Sequence, residues 1–194
     1  HRLIIATEGY AANQMFLPQL DRGCLSAPFA LVASAPLENI GEILPNRRPV
    51  ADTNRANPLW MMADPAGRLL VSLLPPRRRD LDAAAVGRLA ERRIRRLFPD
   101  VSELPWEHYW EGAIALDPFG IPRFIEVADG VVAMGGYNGQ GILPGFLAGR
   151  ELARSLDGAG DVAIPFQRPS KAKPVRQTSW AFRNLLFPIA RRIG

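Results

Sequence analysis

Four glycines in seven residues, Gly135, Gly136, Gly139 and Gly141, constrain this chain more than any other feature, because of what stands on either side of them. Behind them, Val131-Val132-Ala133-Met134 is a short apolar run bounded by Gly130, the pattern of a buried strand. Ahead of them the period changes. Ile142, Phe146, Gly149 and Ala153 fall three or four apart, with Leu143, Leu147 and Leu152 beside them, as on the apolar stripe of a helix. The unit is therefore strand, glycine loop, helix. Glycine lets the backbone take positive φ and lets a flat or anionic ligand approach with no side chain in the way. The unpaired N–H groups at the helix start would face that ligand, with the positive end of the helix dipole behind them. A glycine cluster alone is equally compatible with a tight connection that binds nothing.

Totals narrow the field. With 194 residues, 47% of them hydrophobic and 22% charged, the chain has the make-up of a globular protein of one domain or two small ones. No apolar run reaches the ~20 residues of a membrane span, and no signal peptide is visible. Cys24 is the one cysteine, so no internal disulfide can form, and a reducing, cytoplasmic setting is expected. That thiol and the two histidines, His1 and His108, form no metal-ligand spacing, so no metal is expected. A net charge of +5 would suit nucleic acid. The arginines, however, are spread over one helix and a tail.

In chain order, Leu3-Ile4-Ile5-Ala6 reads as a strand, and a chain that opens at His1 almost inside a strand reads as a piece of a longer protein. The run Phe29–Ala35 has strand character. Two runs, Leu59–Ala63 and Arg68–Leu73, flank Asp64-Pro65-Ala66-Gly67, and that turn chemistry predicts a hairpin. Pro75 to Asp80 is a break. Leu81 to Phe98 is the clearest amphipathic helix: Val86, Leu89, Ala90, Ile94 and Leu97 line one face, Asp80 and Asp82 suit its N-terminus, and its arginines read as a solvated face. Leu104–Leu116 reads as a long strand, with Trp106, His108 and Trp110 on one face and Glu107, Tyr109 and Glu111 on the other. The tail from Pro165 is basic, with aromatic and aliphatic residues interleaved. It reads as an extended arm followed by one helix broken at Pro188, packed on its own domain or offered to a membrane surface or partner.

The segment Gly136-Tyr137-Asn138-Gly139-Gln140-Gly141, followed by Ile142–Ala153, resembles the C-terminal flavin-contacting motif of the D-amino-acid oxidase, glycine oxidase and sarcosine oxidase superfamily of FAD-dependent oxidoreductases. The resemblance implies FAD as cofactor, with Gly135, Gly136, Tyr137, Asn138, Gly139, Gln140 and Gly141 around the flavin, and the helix N-terminus stabilising the negative charge that reduction builds up on the ring. Ala6-Thr7-Glu8-Gly9-Tyr10 is similar to the family segment that passes near the ADP part of the cofactor. Thr7 and Gly9 are the matching positions; Glu8 stands where a small or amide residue is common. Asp52, Thr53, Arg55, Trp60 and Arg68 match a pattern in the sheet of the family's substrate domain. Trp110, Gly112 and Pro122 follow another family segment. Amino-acid oxidases carry there, two residues after the glycine, an arginine that grips the substrate carboxylate. Here that residue is Ile114. This implies an amine, an N-methylated compound, or a carboxylate held from elsewhere, with Arg123 as the conceivable substitute and Trp60 as a residue that could face the substrate.

The family's opening G-x-G-x-x-G loop, which holds the FAD pyrophosphate, has no counterpart near the N-terminus. The expected fold is therefore α/β with α+β: an incomplete FAD-binding, Rossmann-like lobe (residues 1–27 and 117–160), a mixed or antiparallel substrate-binding sheet domain (28–116) and a basic C-terminal arm and helix (161–194). The expected parent function is FAD-dependent oxidation of the C–N bond of a small amine or amino acid, with no nucleic-acid partner. Strands 3–6 and 131–134 would share a parallel sheet and leave apolar surface bare at its seam. The alternatives are a truncated, inactive product and a non-enzymatic basic scaffold or nucleic-acid-binding module. The latter would need aromatics interleaved with a basic groove, and the tryptophans lie on apolar strands instead.

Overall fold

A computed structural model describes residues 3–13, 25–52, 58–75, 82–117, 121–156 and 167–171. The expectations resting on Cys24, Thr53, Arg55, residues 76–80 and the tail after Lys171 lie outside them. The described residues divide into two compact units, one holding the chain up to Ala27 and again from Ala113, the other Pro28–Gly112. None of the described helices is long and apolar enough to cross a membrane.

The Pro28–Gly112 unit is built on a five-stranded sheet. Its strands are β2 (Leu25–Pro36), β3 (Val50–Asp52), β4 (Leu59–Ala63), β5 (Arg68–Leu73) and β6 (Trp106–Leu116), in the order β3-β4-β5-β2-β6. The expected hairpin is β4–β5. The Asp64 carboxylate accepts the Arg68 N–H at 2.8 Å, Gly67 takes a φ of 83°, and Met61 pairs with Val71. Alternation then sorts the faces. Leu59, Met61, Leu69, Val71 and Leu73 are buried in the core, while Trp60, Met62, Leu70 and Ser72 point the other way. A short helix, α1 (Ile40–Ile43), adds Ile40 and Ile43 to that core.

Helix α2 (Ala83–Leu97) covers the core face. Asp82 caps it, its carboxylate accepting the Ala85 N–H at 2.6 Å, and Val86, Ala90 and Ile94 are fully buried. Burying a side chain such as Val86 or Ile94 stabilises by about 1.5–3 kcal/mol. Two details differ from the periodicity. Leu97, counted on the apolar face, is exposed at the last turn. Gly87 sits mid-helix, at a cost of about 1 kcal/mol relative to alanine, because a Cβ there would overlap the Trp106 indole. In β6 the expected alternation also fails. Trp106 and Tyr109 both pack against the core, while Trp110 is exposed. β6 is the edge strand of its sheet, and the Tyr109 ring leans on the core while its hydroxyl donates to Glu111 at the surface.

In the other unit, β1 (Leu3–Ile5), β7 (Arg123–Ala128), β8 (Val131–Gly135) and β9 (Gln167–Lys171) form a sheet in the order β1-β8-β7-β9. β1 runs parallel to β8, with Leu3 opposite Val131, as the family resemblance implied for the two apolar runs. β7 is antiparallel to β8, and β9, in the stretch expected to be an extended arm, pairs with β7 in parallel. Among the described residues, one core cluster here is formed by Phe124, Met134 and Ala148, with Val132 and Leu152 against them. Leu3 and Ile4 are 57% and 41% exposed, so β1 does leave apolar surface bare.

Helix α3 (Ile142–Leu156) follows the glycine turn. Its apolar stripe is not the side that the sheet covers. Ile142, Leu143 and Phe146 are 94%, 67% and 68% exposed, and Gly149 and Ala153 are exposed too. The covered residue is Ala148, beside half-buried Leu152. The spacing identifies which residues share a side of α3; the sheet below covers a neighbouring side.

Candidate functional site

The turn between β8 and α3 is a chain of left-handed residues. Gly136, Asn138 and Gly139 have φ of 80°, 56° and 81°. Glycine takes this conformation freely, and asparagine tolerates it because its short side chain can bond locally. Asn138 does so: its Nδ2 donates to the Gly136 carbonyl at 2.8 Å. Its Oδ1 accepts the Asp117 N–H at 2.9 Å, and its own N–H donates to the Ala115 carbonyl at 3.1 Å. The turn is thus tied to the end of β6.

Glu8 ties it from the other side. Its two carboxylate oxygens accept the N–H groups of Ala115 and of Tyr137, the latter at 3.0 Å. Gly9 explains how the segment comes so close. A Cβ at Gly9 would lie 2.5 Å from the Ala113 carbonyl carbon, so only glycine lets the chain at this position lie against β6. The Thr7 side chain is exposed, and its carbonyl accepts the Tyr10 N–H at 3.1 Å.

Tyr137 lies along the first turn of α3, its ring 3.5 Å from where a Cβ on Gly141 would stand and 3.9 Å from one on Gly145. Burial, and then the nearby Glu8 carboxylate, push its phenol above the ordinary range, so it stays neutral. The helix begins with a bond from Gly145 N–H to the Gly141 carbonyl at 2.9 Å. The N–H groups of Ile142 and Leu143 therefore have no acceptor within the helix, and Pro144 has no N–H at all. Above Gly135 a Cβ would meet nothing within 4 Å, and beside Gly139 the nearest atom would be Ile114 Cδ1 at 3.9 Å. Backbone that carries no side chain at its glycines, followed by donors with no acceptor inside a fifteen-residue helix at its positive end, suits one edge of a planar, electron-accepting ring.

Of the residues singled out from sequence, the structure brings Gly9, Gly135–Gly141 and Ile114 into one neighbourhood. Asn138 spends its side chain on the protein, while Gly139 and Gln140 are exposed. Trp60 belongs to the other unit. It packs against Phe29, with ring centroids 5.6 Å apart, and lines a cavity of about 240 Å³ with Leu31, Val50, Met62, Leu70 and Ser72. Arg123 opens β7, and its side chain is outside the described residues. Glu8 and Asp117 were missed as site-building residues; a carboxylate where the motif takes a small or amide residue was the available signal for Glu8. Among the described residues, no group of histidine, cysteine, aspartate and glutamate could hold a metal ion.

Residues 1–155 match the family model described as DAO, FAD dependent oxidoreductase. The chain belongs to the DAO family of FAD-dependent oxidoreductases. The fold agrees. The chain is similar to L-proline dehydrogenase from P. horikoshii (TM-score 0.62, 16% identity, 84% of this chain and 44% of that one). It is also similar to iminodiacetate oxidase from Chelativorans sp. BNC1 (TM-score 0.63, 16% identity, 89% and 47%) and to glycine oxidase from Geobacillus kaustophilus (TM-score 0.58, 21% identity, 84% and 43%). This DAO-family chain thus spans less than half the length of each of these structures. No curated protein matches it.

Proposed function

We propose that this chain presents the ring-facing turn of a flavoprotein that oxidises the C–N bond of a small amine or amino acid. The observation that carries the reading is the rigidly held glycine turn at the N-terminus of α3, in a member of an FAD-dependent family. When bound, FAD would accept a hydride from the carbon next to nitrogen, leaving an imine that water hydrolyses. The chain's own residues orient and polarise. Gly135, Gly136, Tyr137, Asn138, Gly139, Gln140 and Gly141 would hold the ring side. The N–H groups of Ile142 and Leu143, with no acceptor inside the helix, would favour negative charge beside them. Thr7 and Gly9 lie on the segment that braces this turn. Residues 1–27 and 117–160 form the FAD-side lobe on this reading, to which the compact unit adds Ala113–Leu116, and the substrate domain, expected over 28–116, is left with 28–112.

Ile114, beside the glycine turn, is the residue we assign to the substrate, and it is apolar; Trp60 lines the apolar cavity of its own unit. An isoleucine near Gly139 cannot make the paired hydrogen bonds that an arginine makes to a carboxylate. An amine or N-substituted compound therefore suits the site better than a free α-amino acid gripped there. The test is the visible absorbance spectrum of the purified chain after FAD is added and the excess removed. Bound-flavin bands that bleach with a small amine support the reading. A protein that stays colourless overturns it for this chain.

A further inference from the structure

We propose that Glu8 is the positioning residue of the glycine turn: its carboxylate, seated between the Ala115 and Tyr137 amides, fixes the backbone on which a flavin ring would rest. The proposal rests on the flavin reading above and names a residue that the motif itself does not supply. Three observations carry it. First, Glu8 holds a φ of 49°, a conformation that a glutamate rarely adopts and that persists only where its surroundings impose it. Second, its two oxygens reach amides 107 and 129 residues away in sequence, one at the end of β6 and one inside the glycine turn. Third, Ala115 also accepts the Asn138 N–H, so carboxylate, strand end and turn close into a single hydrogen-bonded ring. Gly9 lies flush on the Ala113–Ile114 backbone and leaves the segment no room to slide another residue into place.

A carboxylate accepting backbone N–H groups makes charge-assisted bonds, stronger than neutral ones. Its loss strands two part-covered donors at once. Glutamine offers one acceptor and turns an NH₂ group toward the second amide, so it can restore only half of the clamp. Glycine takes positive φ without strain, so Glu8→Gly removes the side chain without straining the backbone.

The experiment is residue-resolved amide hydrogen exchange on the full chain for wild type, Glu8→Gly and Glu8→Gln, with FAD affinity measured on the same samples. Glu8→Gly should speed exchange at Ala115 and Tyr137 by about tenfold or more, leave the Val71 and Ala90 amides unchanged, and weaken FAD binding by a similar factor. Glu8→Gln should release only one of the two amides and lose less FAD affinity. Should Glu8→Gly lose protection throughout its unit, the one-amide pattern of Glu8→Gln carries the test. Equal exchange at Ala115 and Tyr137 in wild type and variants overturns the clamp. Faster exchange with unchanged FAD affinity overturns its role in positioning. A wild-type chain that takes up no FAD counts against the flavin reading alone, and the exchange rates still judge the clamp.

Discussion

Helices α2 and α3 are each fifteen residues long, and each carries an apolar stripe visible from spacing alone, yet they are seated in opposite ways. In α2 the stripe is the seat: Val86, Ala90 and Ile94 lie fully buried in a cluster of fourteen core residues. In α3 the stripe stands in the open, and the core cluster that the helix joins holds three buried residues among those described. What fixes α3 is its entry point. The turn before it is bonded to β6 and to Glu8 through backbone amides and the Asn138 side chain. One helix is placed by burial along its length, the other by polar bonds at its N-terminus. A helix that must present its first N–H groups to a ligand needs the second kind of placement, since those groups cannot also be spent on packing.

The comparison breaks most easily at its hydrophobic end. Ile94→Ala should cost about 3 kcal/mol, from lost transfer energy plus the cavity left behind. Ile142→Ala, on the bare stripe of α3, should stay within about 0.5 kcal/mol. Denaturant midpoints, read for the two unit-specific transitions or for one common one, compare them directly. Similar losses would mean that α3 is covered in solution and that the contrast is wrong. Gly87→Ala comes next. The helix would gain about 1 kcal/mol of propensity. The new methyl would overlap the Trp106 indole, and overpacking of that kind costs about 1–3 kcal/mol, so the net sign should be destabilising. A stabilised variant would show that Trp106 moves aside freely.

Polar seating predicts a smaller, two-step pattern at the turn. Asn138→Gly keeps the left-handed φ and loses the side-chain bonds to Gly136 and Asp117, a change of about 1 kcal/mol. Asn138→Ala adds the steric penalty of a Cβ at positive φ, about 1–2 kcal/mol more. Thermal unfolding of the two variants side by side checks the order, and equal losses would assign everything to the hydrogen bonds.

Much of this was legible in the sequence because period and turn chemistry are local. The β4–β5 hairpin, α2 with its Asp82 cap, and the strand–turn–helix at 131–154 each follow from residues a few positions apart. The parallel pairing of β1 with β8 came from recognising two apolar runs as parts of one family sheet. What stayed hidden depends on partners far away in the chain. Nothing near Glu8 announces that its carboxylate meets Ala115 and Tyr137, and nothing within 142–153 says which side of α3 the sheet covers. Phe124, the largest buried side chain of its core cluster, sits in a stretch whose pairing with both β8 and β9 has no local signature. The Trp106 and Tyr109 positions defied alternation for the same reason, since an edge strand is free to turn either face's rings toward the core.

The smallest expected effect concerns the turn's one titrating ring. Burial first and the Glu8 charge second raise the Tyr137 phenol above its ordinary value of 10.0, so the folded chain binds that proton more tightly than the unfolded chain does. The sign follows. Below the ordinary value both states are protonated and stability does not respond to pH through this group. Above it the unfolded state ionises first, so stability falls as pH rises toward the folded value. Tyr137→Phe should therefore flatten the alkaline limb of a stability-versus-pH curve while changing little near neutrality. Glu8→Gln should bring phenolate absorbance in at lower pH than in wild type, but not all the way to the ordinary value, because the larger cause, burial, remains. If Glu8→Gln left the Tyr137 titration where it was, burial alone would account for the raised phenol, and the part Glu8 plays in seating α3 would rest on its two amide bonds and not on charge beside the ring.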